Sequence, residues 1–256
     1  MNNANPFGIA NKNDTSGIAY GVSTQRFLFE SFMQDKEYNS MSALFREFRN
    51  KGKNFENQFI ETGTFAGNGV RDAWNAGFTK IRSCEKSSNW HLRSRITMLT
   101  KLEGRGLHEL DIDESSRTPE QSARYGMLAA EMEKKYKNIG LYFGSSEERL
   151  NEMISDIDEP IMFWLDAHFS GGTTSKADNG TSSPLRKELD IIATHPIKEH
   201  TIIVDDFDVW EEHYGFTMED VKDMILKINK NCVFELSTDI DVNPHKNVLF
   251  AYIGKL

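Results

Sequence analysis

From Phe59 onward the chain alternates short apolar runs with longer stretches whose apolar residues recur at helical spacing. Each short run is followed by Gly, Ser or Asp, and this alternation is the signature of βα units wound into a parallel sheet. The runs cover 59–62, 80–85, 139–144, 161–166, 201–206, 232–236 and 248–253, which predicts seven strands. Only residues 237–247 separate the last two, fewer than the roughly dozen residues of a helical crossover, so these two pair antiparallel. The expected fold is α/β: a Rossmann-like, seven-stranded, mostly parallel sheet with an antiparallel strand at the edge and helices on both faces.

Upstream, residues 24–50 carry Phe27, Phe29, Phe32 and Met33, then Met41, Leu44, Phe45 and Phe48, which predicts two helices outside the sheet. Residues 1–20 read as a flexible leader, 21–52 as an N-terminal helical cap, and 53–256 as the main domain with a helical insertion at 103–138. Within the insertion, Pro119 to Tyr136 forms a helix whose apolar positions are Tyr125, Leu128, Met132 and Tyr136. Residues 170–183 form a Ser, Thr and Gly tract without apolar periodicity, placed where loops face a ligand.

At 256 residues one core with additions is expected. The formal charge of −9 weighs against a nucleic-acid partner, which needs clustered Lys and Arg. No apolar run approaches the roughly 20 residues that cross a bilayer, and residues 1–14 lack the pattern of a signal peptide, so no membrane partner and a cytoplasmic location are expected. The two cysteines, Cys84 and Cys232, fall in segments that read as buried strands, the usual place of a reduced thiol.

Candidate chemistry gathers at the strand ends. Phe59-Ile60-Glu61-Thr62-Gly63-Thr64-Phe65-Ala66-Gly67-Asn68-Gly69 runs from a strand through a Gly-rich turn into a helix that begins at about Asn68, and its missing β-carbons let backbone amides approach a ligand. Glu85 closes the next strand, where a carboxylate can hold the two hydroxyls of a ribose; the alternative is an ordinary helix-start residue beside the capping Ser87 and Ser88. Ser145 and Ser146 follow the third strand, within reach of a purine amine. Asp166 ends the fourth strand with His168 two residues on, and Asp205 and Asp206 end the fifth. Three converging carboxylates favour a hard divalent cation, and an imidazole beside them suits proton abstraction. The bland alternatives are that Asp205 or Asp206 caps a helical turn and that His168 is a plain packed or loop histidine.

Taken together, Ile60-Glu61-Thr62-Gly63-Thr64, Glu85, the run Phe163-Trp164-Leu165-Asp166-Ala167-His168-Phe169-Ser170-Gly171-Gly172, Ser183-Pro184-Leu185-Arg186-Lys187-Glu188-Leu189 and Asp205-Asp206-Phe207 resemble class I O-methyltransferases that use S-adenosylmethionine (SAM), nearest the macrocin/mycinamicin sugar O-methyltransferase group and related glycan-modifying enzymes. The closing strand pair is common in such enzymes and absent from the NAD-type doubly wound fold. The resemblance implies that Glu61, Thr62, Gly63, Thr64, Gly67, Glu85, Ser145 and Asp166 line the SAM site, and that Asp166, Asp205 and Asp206 hold a divalent cation, usually Mg2+. It departs from the family at His168, where an acidic residue usually stands, and at Ser145, where an Asp usually lies beside adenine. The expected activity is methyl transfer to a hydroxyl of a sugar or glycoconjugate, with His168 as general base and Asp166 beside it in the catalytic centre. The rivals are a metal-independent small-molecule O-methyltransferase, a metal-dependent hydrolase and a non-catalytic SAM-binding module; homo-oligomerisation stays open.

Overall fold

The computed structural model describes residues 41–54, 56–106, 112–167, 183–205, 215–236 and 248–255. Seven strands stand where the sequence places them: β1 Gln58–Thr62, β2 Lys80–Glu85, β3 Ile139–Phe143, β4 Ile161–Leu165, β5 Thr201–Val204, β6 Val233–Leu236 and β7 Leu249–Tyr252. They form one sheet in the order β3-β2-β1-β4-β5-β7-β6. β1 to β5 pair in parallel, while β7 runs antiparallel to both β5 and β6. The expected antiparallel pair therefore closes one edge, with the reversed strand as its inner member and β6 outermost.

The helices are α1 Met41–Lys51, α2 Asn68–Asn75, α3 Ser88–Glu103, α4 Pro119–Lys135, α5 Ser146–Ile154, α6 Leu185–Thr194 and α7 Met218–Ile228. Every residue of β1 and β4 is buried, because helices cover both faces of the sheet. Phe59 joins one apolar cluster with residues of α1 to α4, and the next residue, Ile60, joins the other with residues of α5 to α7. That division follows from the alternation of side chains along a strand.

Helix α1 buries Ser42, Phe45, Phe48 and Arg49, one stripe at helical spacing. The Phe45 ring lies 5.0 Å from Phe59 and 5.3 Å from Trp164, and Phe48 stacks on Phe250 at 3.6 Å. The part of the helical cap that is described thus packs on a sheet face; residues 1–40, with the expected leader, lie outside the described residues.

Within the 103–138 insertion, α4 starts at a capping box between Thr118 and Gln121, with Pro119 at the first helical position. The described part of the segment before it, from residue 112, includes a 3-10 turn, Glu114–Ser116, and is tied to the first turns of α3. Asn89 Nδ2 donates to Asp113 Oδ1 at 2.8 Å, the Glu114 amide donates to Asn89 Oδ1 at 3.0 Å, and Arg93 Nη1 donates to Asp113 Oδ1 at 2.9 Å.

Both thiols are free: Cys84 is buried on β2, whereas Cys232 is half-buried and precedes β6 rather than lying within a strand. Among the described residues no helix is long and apolar enough to cross a membrane.

Candidate functional site at the carboxyl edge of the sheet

Strand order reverses between β1 and β4, and ligands of open α/β sheets settle outside the carboxyl ends at such a point. The register places specific residues there. Thr62 pairs with Cys84 and with Leu165, Leu165 pairs with Val204, and Glu85 pairs with Phe143. Phe143, Glu85, Gly63, Asp166 and Asp205 therefore occupy one row across five strand ends. Backbone bonds carry the row past the strands: the Gly63 amide donates to Cys84 O at 3.1 Å, the Asp166 amide to Thr62 O at 3.2 Å, the Asp205 amide to Leu165 O at 3.2 Å, and the Gly144 amide to Glu85 O at 3.0 Å.

Glycine is required at the centre of this row. Gly63 has φ +87°, and a β-carbon there would stand 2.9 Å from the Asp166 carbonyl oxygen. The turn then passes Thr64 and Phe65 to Gly67, which has φ +74° and precedes α2. The helix opens at Asn68, as the sequence indicates.

Glu61 is buried beneath this turn. Its Oε2 accepts a 2.6 Å bond from the Ser83 hydroxyl, which is 2.5 Å from the Thr64 hydroxyl. Burial, reinforced by the nearby Glu85 and Asp72 charges, pushes its carboxyl up to about 8 despite the Ser83 bond. Thr62 is likewise buried, and its hydroxyl accepts the Asp166 amide at 3.3 Å.

Glu85 is half-buried, with Oε2 accepting the Phe65 amide at 2.8 Å and Oε1 the Ser87 amide at 2.8 Å. Desolvation raises its pKa, and the backbone donors oppose the rise. The Lys86 amide bonds the same carboxylate, so three backbone donors leave it capacity for a further hydroxyl donor. Ser87 also caps α3, accepting the Trp90 amide at 3.4 Å, so the capping alternative and the carboxylate's place at the edge are both present. Ser145 is buried at the N-cap of α5, two residues beyond Phe143.

Asp166 and Asp205 stand side by side in register, Asp205 buried and Asp166 half-buried. The other two residues expected beside them, Asp206 and His168, lie outside the described residues. Among the described residues no group of three or more His, Cys, Asp or Glu side chains is placed to hold a metal ion. Two aspartates provide hard oxygen donors of the type that suits Mg2+, so they fit part of such a site.

Several neighbours were not singled out from the sequence. Phe143, half exposed at 50%, ends the row beside Glu85. His91 lies with its ring 5.4 Å from Phe143, and burial with the Arg95 charge pushes its imidazole down to about 4. Phe65 and Trp90 pair with ring centroids 3.9 Å apart. The available signal was position: Phe65 lies in the turn after β1, and His91 and Trp90 in the first turn of the helix that follows β2.

No family model matches the chain, and no curated protein matches it in sequence. Solved structures that superpose on it include the methyltransferase domain of bacterial CtHen1, at 14% identity over 84% of this chain and 97% of that one, TM-score 0.48. The O-methyltransferase TomG from Streptomyces achromogenes, in complex with SAM, matches at 8% identity over 92% and 90%, TM-score 0.44. An O-methyltransferase from Bacillus cereus in complex with SAH matches at 8% identity over 90% and 97%, TM-score 0.41. Likeness this distant carries no activity from those proteins to this one.

Proposed function

We propose that this chain is a SAM-dependent methyltransferase that modifies a hydroxyl oxygen. The observation that supports this most directly is the single row of Glu85, Gly63, Asp166 and Asp205 at the switch point, a carboxylate and a glycine turn on one side and two acids on the other. Gly63 lets the turn after β1 pack against the backbone of Asp166, Glu85 keeps capacity for a hydroxyl donor of a vicinal diol, and the Phe143 ring offers an apolar surface beside it.

When bound, SAM supplies a methyl group on a positively charged sulfur, already bonded to a good leaving group. The chain's task is then alignment of the acceptor oxygen with that carbon and removal of the hydroxyl proton. In the finer reading, the acceptor is a sugar or glycoconjugate, Asp166, Asp205 and Asp206 would hold a divalent cation, which would supply a lowered pKa for the hydroxyl, and His168 would take its proton. SAM would supply the methyl group and leave as SAH, and His168 would receive the hydroxyl proton.

Calorimetric titration with S-adenosylhomocysteine (SAH) tests the donor class. Binding to the native protein, weakened about tenfold or more in Glu85→Ala, is expected; a native protein that takes up no SAH overturns the reading. Turnover on sugar and phenol acceptors with and without EDTA tests the finer part. Undiminished activity in EDTA moves the protein to the metal-independent branch, and an unchanged rate in His168→Ala removes the base.

A further inference from the structure

Asn68 and Gly69 form an Asn-Gly pair at the point where the Gly-rich turn becomes α2. In such a pair the glycine amide nitrogen can attack the side-chain carbonyl carbon of the asparagine, because no β-carbon on the second residue crowds the approach. Helices ordinarily suppress this reaction by engaging that N–H in the backbone ladder and by holding the chain rigid.

Both restraints are weak at Gly69. The ladder of α2 opens with the bond from the Arg71 amide to Gly67 O, at 3.1 Å, so the Gly69 N–H precedes it, among the donors that a helix start leaves over. The N-cap, Gly67, lies in the left-handed region at φ +74° and makes no side-chain cap. The helix is only eight residues long and Gly69 lowers its propensity, so its first turn opens readily. Asn68 and Gly69 are both half-buried, within reach of water. The asparagine side chain has a specific partner as well: Lys101 Nζ, from the last turn of α3, donates to Asn68 Oδ1. An ammonium there stabilises the negative charge that grows on Oδ1 as a nitrogen attacks Cγ.

We propose that Asn68 is a site of spontaneous deamidation, assisted by Lys101, which places a new carboxylate in the turn after β1. The Gly69 nitrogen bonds to Asn68 Cγ as the Cγ–Nδ2 bond breaks, and the amide proton leaves with Nδ2 as ammonia, which gives a cyclic imide. Water then opens the imide at one of its two carbonyls. Opening at Cγ leaves an aspartate in normal linkage. Opening at the backbone carbonyl carries the chain through Cγ and inserts an extra backbone carbon before Gly69, an isoaspartyl linkage. The normal product supplies what α2 lacks, an acid in its first turn, and sets it beside the Lys101 ammonium. The isoaspartyl product breaks the spacing of that turn against Glu61, whose Oε1 lies 1.8 Å from where a Gly69 β-carbon would stand. Only the chain's own atoms and water take part, so the reaction stands apart from the SAM reading.

Fragment-ion mass spectrometry of protein aged at mildly alkaline pH tests this. The second Asn-Gly pair, Asn179-Gly180, lies outside the described residues, and the fragment ions resolve it from the first. In the folded native protein Asn68 is expected to convert to the acid and its isoaspartyl isomer at a rate within about tenfold of that in urea-unfolded protein, since the first turn of α2 opens at little cost. A slower folded-state rate overturns the proposal. Lys101→Met, an exchange on the exposed side of α3, should slow conversion roughly threefold in the folded state and leave the unfolded-state rate unchanged. An equal or faster folded-state rate in that variant removes the assistance. Asn68→Asp, the normal-linkage product, should melt at or above the native temperature, and a lower melting temperature overturns the stabilising place given to the new acid.

Discussion

The Ser83 hydroxyl donates a 2.6 Å hydrogen bond to the buried Glu61 carboxyl, and the Thr64 hydroxyl closes on Ser83 at 2.5 Å. A polar chain thus ties the end of β1 to β2 directly below the Gly-rich turn.

Gly69 is the space that Glu61 needs. A β-carbon at Gly69 would stand 1.8 Å from Glu61 Oε1, in the first turn of α2. Gly69→Ala is expected to destabilise the protein by about 1–3 kcal/mol through forced displacement of the carboxyl. Urea denaturation reads this directly, and a native midpoint would show that the carboxyl can move aside.

Glu56 predicts a pH dependence of stability. It is buried, accepts the Thr201 hydroxyl at 2.8 Å, and burial pushes its carboxyl up to about 7. A raised pKa means that the folded state holds a proton the unfolded chain has released. Its stabilising contribution is complete below about pH 4.5 and is lost as pH rises through 7. Glu56→Gln, which keeps the acceptor, should therefore be more stable than the native protein by about 2–3 kcal/mol at pH 8.5 and nearly equal to it at pH 4.5. Equal stability at both values would place the ionised carboxylate in the folded core without cost.

His200 acts in the opposite direction. Burial, with the neighbouring His195, pushes its imidazole down to about 3, and its Nδ1 accepts the Ile161 amide at 3.1 Å. The unfolded chain takes up a proton below about pH 6.5 that the folded state refuses, so stability falls as pH falls from 6.5 toward 3. His200→Asn, whose Oδ1 can accept the same amide, should flatten that acid limb in denaturation curves taken from pH 6.5 down to pH 4.

Phe45 joins α1 to the sheet. It is fully buried between Phe59 and Trp164. Phe45→Ala should cost about 3–5 kcal/mol in equilibrium unfolding, since the rings of two rigid strands cannot collapse into the void. A loss below about 1 kcal/mol would mean that α1 repacks.

All seven strands and the Pro119 helix were legible because their signals are local: apolar runs of strand length, and Pro after a capping Thr. The position of β7 inside β6 was not, since periodicity describes a strand's faces and says nothing of its neighbours. Of the site, the edge positions of Gly63, Glu85, Asp166 and Asp205 could be read from where runs end. The burial of Glu61 could not, because it depends on Ser83 and Gly69 converging from two other elements. Phe65 escaped notice for a similar reason, as its backbone conformation is set by the turn and its partner lies on α3.

The bond from the Asp166 amide to the Thr62 hydroxyl joins residues 104 positions apart. Contacts so distant along the chain carry a closure cost before they return any stabilisation, and they slow folding. The two sides of the candidate site consequently meet only when β4 docks onto β1, so SAH binding should arrive late during refolding, after the β1-to-β3 half has gained its secondary structure.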